Sequence, residues 1–474
     1  FIASLIVLLS IGLKGQTIPL PEHPRPDFER TDWVNLNGKW EFEFDSLSKG
    51  EAQNWQNGSA KFSKTINVPF PWGAPLSGVK DEADIAWYQK NITVPESFKN
   101  KKSFITIGAS DWETTVWLDG NLLGKHQGGY TPFSFDITSF VKYGSAQKLV
   151  IKVDDKRREF TLYGKQGYGN ARGIWQTIYL EARGNSFLDY VHFTPDIDQN
   201  KVKVSGEIIG GDSKDNVLKI KVKDRSETLT FSVPKGQKMF EFTFDVPNAK
   251  LWTLENPYLY ETEVSWGDDV VKTYFAMRKI SVINLPGTDI PYVALNNKPI
   301  YLQLTLDQSY HPEGFYTFPT DEFMKNEIQL CKNIGLNGLR THIKVDVPRK
   351  LYWADKLGLL VMADLPNFWG EPDAQAQKES EFTLRQMIKR DYNHPAIFSW
   401  IVFNETWGLR TKVKNEITGK VESQYLPKTH NWVASMYYLA KSLDQTRLAE
   451  DNSICCGAGH TETDINSWHE YLPG

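Results

Sequence analysis

At 474 residues the chain exceeds one ordinary domain, and two to four domains are expected. Its 54 basic and 58 acidic side chains give a formal net charge of -4 without any long basic run, which argues against nucleic acid as a partner. The three cysteines, Cys331, Cys455 and Cys456, form no disulfide framework or zinc spacing, and chain neighbours such as the last two rarely pair with good geometry.

In chain order, Ile2 to Leu13 form a short apolar stretch ahead of Lys14-Gly15-Gln16, too short to span a bilayer and placed like the core of a secretory signal. Residues 1–16 therefore read as a partial signal peptide. The mature protein is expected to be secreted or periplasmic, with no membrane attachment once the leader is removed. No cysteine follows the apolar run, so a lipid anchor there is not expected.

From 17 to 184 the pattern is short alternating segments broken by turns. Lys39-Trp40-Glu41-Phe42-Glu43-Phe44 alternates at the period of a strand, and Asp119-Gly120 marks a tight hairpin. Residues 185–283 continue in β rhythm, as in Lys201-Val202-Lys203-Val204, over the length of an immunoglobulin-like sandwich. Aromatics make up 13% of the chain, with 16 Trp; they suit both sugar stacking and large sandwich cores.

After Asn284 apolar strands alternate with amphipathic helices. Strands are predicted at 299–305, 338–343, 359–364, 396–404, 447–451 and 464–469, with helices near 321–334, 348–357, 379–392 and 430–443. Residues 284–474 thus look like a (β/α)8 barrel cut short after about six strands, since a full barrel typically takes about 250 residues. No internal repeat or low-complexity tract is present.

Asn393 to Trp407 carry the clearest chemical signal. Ile397, Phe398, Trp400, Ile401, Val402 and Phe403 leave no polar face, the pattern of a strand covered on both sides, and they deliver Glu405 onto its end. A carboxyl held in a desolvated mouth is expected to have a raised pKa, suited to giving and taking a proton. Arg340 and His342, one residue apart at the end of the second predicted strand, face the same rim. They could bind sugar hydroxyls or a substrate carboxylate; equally, Arg340 could pair with a structural carboxylate such as Asp364. No metalloprotease-type or other metal-ligand spacing occurs, so neither a metal nor a cofactor is expected.

The sequence resembles the family 2 glycoside hydrolases, which include β-galactosidases, β-glucuronidases and β-mannosidases. The resemblance rests on Leu36-Asn37-Gly38-Lys39-Trp40, Trp87-Tyr88-Gln89-Lys90, Gly128-Gly129-Tyr130-Thr131-Pro132-Phe133, Gly173 to Leu180, Asn256-Pro257-Tyr258-Leu259-Tyr260, Met277-Arg278-Lys279-Ile280 and Asn393-His394-Pro395 through Asn404-Glu405. It implies a jelly-roll sugar-binding-like domain, an immunoglobulin-like sandwich and a catalytic barrel. It also implies an exo-acting retaining β-glycosidase of carbohydrate substrates, galactosides or glucuronides first. By the resemblance, Glu405 is the general acid/base and Asn404 hydrogen-bonds the sugar 2-hydroxyl. Asp364 stands where relatives carry an acidic residue that contacts substrate or supports neighbouring groups. Asp307 lies where they commonly carry Asn and His, a departure that moves the substrate pattern away from familiar galactosidases. Trp369, Trp407, Trp468, His469 and Tyr471 follow strand ends and could shape a sugar subsite or merely pack. The family's nucleophile is a glutamate at a seventh strand, which places it beyond Gly474. The 474-residue chain alone is therefore expected to have little or no activity. The alternative is a non-catalytic carbohydrate-binding homologue, and homo-oligomers are compatible with either.

Overall fold

The computed structural model describes residues 18–455 and 459–471. The expected signal peptide lies outside them. The first domain is a sandwich of two antiparallel sheets. A six-stranded sheet runs Lys64–Val68, Gly38–Phe44, Ile85–Thr93, Ala146–Asp154, Glu113–Leu118, Asn121–Gln127. It faces a four-stranded sheet of Trp33–Asn35, Ile178–Arg183, Lys102–Ile107 and Phe133–Asp136. Period-two alternation turns Trp40 and Phe42 inward, where they pack with Trp72, Tyr88, Ile105, Val116, Ile151 and Leu180. The Asp119-Gly120 hairpin forms as expected: Leu118 pairs with Asn121, and both turn residues have positive φ, 47° and 79°.

The second domain packs a three-stranded sheet (Phe187–Asp196, Lys201–Ile209, Met239–Asp245) on a four-stranded one (Leu229–Ser232, Val217–Val222, Tyr260–Trp266, Asp269–Phe275). A small antiparallel sheet, Ile280–Asn284, Pro291–Leu295 and Lys298–Pro299, then leads into the third domain.

There the strands β1 (Leu304–Asp307), β2 (Gly338–Thr341), β3 (Leu360–Asp364), β4 (Ile397–Asn404) and β5 (Leu448–Ser453) form one parallel sheet in sequence order. Helices α1 (Asp321–Asn333), α2 (Pro348–Leu357), α3 (Ala374–Asp391) and α4 (Pro427–Leu443) connect them. Every residue of β4 is buried, as its unbroken apolar run requires.

Two expectations are corrected. The first strand is Leu304–Asp307, not 299–305, because Lys298 and Pro299 are taken up by the preceding antiparallel sheet. The sixth strand, 464–469, does not form, so the parallel sheet has five strands among the described residues. That segment follows β5 but touches its backbone only at separate points: Asp464 N–H donates to Ala449 O at 2.9 Å, and His469 N–H to Ile454 O at 3.0 Å. Asp464 is drawn aside by Lys441 at 2.8 Å and by the Ala449 amide at 2.9 Å, which prevents a regular ladder.

The Asn393-His394-Pro395 triplet ahead of β4 joins domains. Asn393 accepts from Phe193 N–H at 2.9 Å and donates to Val191 O at 2.7 Å. His394 Nδ1 lies 2.6 Å from Asp355, which also accepts from Tyr274 of the second domain at 2.7 Å. Arg278 donates to Pro395 O at 3.0 Å and Ile397 O at 2.8 Å. All four of His394, Asp355, Tyr274 and Arg278 are buried, so the base of β4 is fixed from three directions. Cys455 is disulfide-bonded, although the sequence showed no disulfide framework, while Cys331 is a free thiol.

Candidate active site

Glu405 follows β4 directly. Its amide donates to Ser453 O at 2.8 Å, extending the β4–β5 ladder by one bond. Glu405 and Thr406 then adopt φ of 52° and 59°. Two consecutive non-glycine residues in the left-handed region are unfavourable, and such strain concentrates where a side chain must be aimed. Thr406 N–H donating to Asn452 at 3.1 Å helps to hold the turn.

The turned carboxylate meets three donors. His469 Nδ1 lies 2.6 Å from Oε1, the Tyr471 hydroxyl donates to the same oxygen, and Trp407 Nε1 donates to Oε2 at 2.9 Å. Burial pushes the Glu405 pKa up, but hydrogen bonds from Tyr471, His469 and Trp407 outweigh it and bring the carboxyl down to about 2. The expectation of a raised pKa is thereby corrected. Its donors come from two residues ahead and from a segment more than 60 positions away, which no local pattern announces.

Beside it, Arg340 pairs with Asp364, one of the two partners the sequence offered. Its guanidinium forks onto Asp364, with Nε 3.0 Å from Oδ1 and Nη2 2.8 Å from Oδ2. Nη2 also donates to Asn404 Oδ1 at 2.8 Å, and Nη1 to Ser453 Oγ at 3.0 Å. One cation therefore ties the ends of β2, β3, β4 and β5 together. Asn404 is wholly buried, and its Nδ2 has no hydrogen-bond partner among the described residues. His342 lies just past β2, with Nδ1 3.0 Å from Gln308 Oε1. Burial lowers its pKa to about 4; Asp364 pulls the other way, and the charges of Arg340 and Lys165 reinforce the lowering. The imidazole is thus neutral near pH 7.

Asp307 is not brought to this cluster. Its Oδ2 is 2.5 Å from Lys350 Nζ, and its Oδ1 accepts from Ser309 N–H at 2.7 Å, within a network that includes Asp346 and Glu327. Trp407 packs on Trp369, with ring centroids 4.4 Å apart, and Trp369 Nε1 donates to Gly164 O of the first domain at 2.7 Å. Trp468 and Tyr471 are largely exposed.

Sequence reasoning missed the first-domain segment around Tyr163-Gly164-Lys165, which rests on the sheet's C-terminal end through amides donating to Asn367 O. It also missed Ser453 and Ser467, which carry no motif. A cleft of about 390 Å³ lies where the domains meet, lined by Arg30, Phe104, Glu181, Arg183 and His192, but it includes none of the Arg340–Glu405 cluster. No group of residues suited to hold a metal ion occurs among the described residues.

Family models for glycosyl hydrolases family 2 match all three parts in order: the sugar binding domain at residues 33–182, the central domain at 186–278 and the TIM barrel domain at 291–466. The chain belongs to glycosyl hydrolase family 2. It is 26% identical over 419 residues to a β-galactosidase of Thermoanaerobacter pseudethanolicus, covering 82% of this chain and 53% of that protein. A putative β-glucuronidase of Formosa agariphila is also 26% identical, over 466 residues, covering 90% of this chain and 40% of that protein. The chain therefore spans about half the length of the curated relatives it matches. Among solved structures, a β-glucuronidase from Ruminococcus gnavus in complex with D-glucuronic acid superposes with a TM-score of 0.73. The identity is 20%, and the match covers 91% of this chain and 74% of that one, a likeness of fold.

Proposed function

We propose that this family 2 member is part of an exo-acting retaining β-glycosidase that removes non-reducing sugars, a galactoside or a glucuronide first, with Glu405 as general acid/base. The observation that carries the reading is Glu405 itself, a carboxylate turned out of a fully buried strand beside the Arg340–Asp364–Asn404 fork. Asn404 Nδ2, buried and without a partner, is suited to bond the sugar 2-hydroxyl as positive charge develops at the anomeric carbon. Binding that withdraws Trp407 or Tyr471 from the carboxylate while excluding water removes what lowers its pKa and strengthens what raises it. Glu405 would then become an acid only once substrate is in place.

The second carboxylate, about 5–5.5 Å from the first in a retaining enzyme, is assigned to chain beyond Gly474. Leu306, Leu330 and Ile334, on β1 and the end of α1, are more than half exposed, which supports further strands and helices completing the barrel. The 474-residue form would then show little turnover by itself. We place the protein outside the cytoplasm, secreted or periplasmic, on the apolar stretch Ile2 to Leu13.

One observation favours a second reading. A carboxylate satisfied by three donors suits a carbohydrate-binding homologue that has lost catalysis as well as it suits a resting acid. A panel of nitrophenyl β-glycosides tried on the full-length protein separates the two. Turnover of one sugar with the product released as the β-anomer supports the enzyme; sugar binding without turnover supports the binder.

A further inference from the structure

Glu450, on β5, is wholly buried, and its Oε2 has no partner among the described residues. The other oxygen begins a chain of contacts that ends at Glu405. Glu450 Oε1 is in short hydrogen-bond contact with Ser467 Oγ. Ser467 Oγ lies 3.4 Å from Ser453 Oγ, Ser453 Oγ lies 2.7 Å from His469 Nε2, and His469 Nδ1 lies 2.6 Å from Glu405 Oε1.

The direction of this chain follows from donor inventory. Arg340 Nη1 donates to Ser453 Oγ at 3.0 Å and also faces His469 Nε2 at 3.3 Å. A guanidinium has no lone pair to offer, so Nε2 must be the accepting nitrogen and the ring proton sits on Nδ1, toward Glu405. Ser453 accepts from Arg340, and its single proton points to Nε2; Ser467 Oγ donates to Glu450 while that carboxyl is ionised and turns to Ser453 Oγ, 3.4 Å away, once Glu450 is protonated. With Glu450 protonated, every hydroxyl in the row donates once, all in the same sense.

We propose, resting on Glu405 as the acid/base of a family 2 glycosidase, that Ser467, Ser453 and His469 form a proton relay to Glu405, with Glu450 as the reservoir. The transfer is a shift of one proton along the row. The Glu450 O–H breaks as Ser467 gains a proton, Ser467 passes its own to Ser453, Ser453 passes its own to His469 Nε2, and Nδ1 releases its proton to Glu405. Glu450 ends as carboxylate and Glu405 as carboxylic acid, with no electrons exchanged. Reversing the row returns the proton after Glu405 has taken one from water.

The groups facing Glu450 set a suitable level. Burial is the largest influence and raises its pKa; the Ser467 hydrogen bond, Arg340 and His460 lower it, Asp364 raises it, and it stands at about 7. Glu405, at about 2, is ionised under the same conditions, so the proton is stored one row away and passes to Glu405 only after substrate has displaced the Tyr471 and Trp407 donors that hold its carboxyl low.

The test uses the full-length protein with E450Q and S467A, neither of which touches Glu405 or Arg340. On phenyl or alkyl β-glycosides, whose leaving groups need protonation, both variants should lose at least tenfold in kcat. The fall in wild-type kcat above about pH 7 should also move or vanish. On dinitrophenyl β-glycosides, whose leaving group needs no acid, both should match wild type. Equal losses on the two substrate classes would mean a structural role and overturn the relay, as would no loss on either. E405Q, run alongside, reports separately on the acid/base reading. Independently of turnover, nitrogen-15 NMR should find the His469 proton on Nδ1 and carbon-13 NMR should find Glu450 titrating near 7. A proton on Nε2, or Glu450 titrating near 4.5, would also overturn the relay.

Discussion

Removing donors from Glu405 should return its carboxyl toward an ordinary value in steps. The three hydrogen bonds, with the charge of His469, lower it from 4.5 to about 2 against the opposing effect of burial, so each bond contributes on the order of one pH unit. A hydrogen bond to a charged group is worth about 1.5–3 kcal/mol, and about 1.4 kcal/mol corresponds to one pH unit, so the sizes agree. The Tyr471 ring is 72% exposed, so its share belongs at the low end. Tyr471→Phe should therefore bring Glu405 to about 3, and Tyr471→Phe with Trp407→Phe to about 4. The assay is a carbon-13 carboxyl titration of glutamate-labelled protein, with the Glu405 signal assigned by its loss in Glu405→Gln. Because the folded pKa is the lower one, the stabilisation it brings is present above about 4.5 and is lost as pH falls through about 2. The cost of Tyr471→Phe should accordingly be greatest near neutrality and disappear in strong acid. A midpoint that stays near 2 in both variants would refute the assignment of the lowering to these donors.

Asp355→Ala strips His394, Tyr274 and the Ala396 amide of a wholly buried acceptor and should cost about 3–5 kcal/mol in the urea transition of the barrel domain; a loss under about 1 kcal/mol would contradict the interdomain role. Burial alone would lower the His394 pKa, but the Asp355 charge and hydrogen bond raise it. This part of the stability is therefore full below about pH 6.5 and is lost as pH rises through the folded value, so the mutational cost should shrink in alkali. Arg340→Lys keeps the charge but loses the fork that holds Asp364, Asn404 and Ser453 together, and should weaken binding of a sugar lactam or lactone, measured by calorimetry, by about tenfold or more. In Gly338→Ala the new Cβ would lie 2.3 Å from Leu304 Cδ2 and 2.8 Å from Leu360 O, and thermal unfolding should show a loss of about 1–3 kcal/mol.

Much of the frame could be read from one-dimensional pattern. The unbroken apolar run of β4, the Asp119-Gly120 hairpin and the alternation around Trp40 all answer to local periodicity, and each formed where expected. Helix starts were less legible: α3 begins at Ala374, capped by Asp373 accepting from Ala376 N–H, and α4 begins with Pro427 at its first position, both a few residues before the predicted starts. The signals were present, since proline just inside a helix and aspartate just before one suit free N–H groups. The failed strand at 464–469 has only Ile465 and Trp468 as apolar residues, and Asp464 is held aside by Lys441, a contact 23 positions back. The site itself divides the same way. Glu405 and Arg340, named from strand-end position, and Asn404 and Asp364, named from the resemblance, all lie at strand ends. The Asp307–Lys350 pair, the His469 and Tyr471 bonds to Glu405 and the Glu450–Ser467 contact join separate segments, so only the folded chain discloses them.

The most direct test of the role given to Glu405 is Glu405→Gln in the full-length protein, assayed on aryl β-glycosides spanning a wide range of leaving-group acidity. The substitution keeps shape and removes the transferable proton. The expected result is a loss of about 10²–10⁴-fold in kcat/KM for phenyl glycosides with little change in kcat/KM for dinitrophenyl glycosides, whose departure needs no acid. Loss that is the same across the series, or no loss at all, would contradict the account.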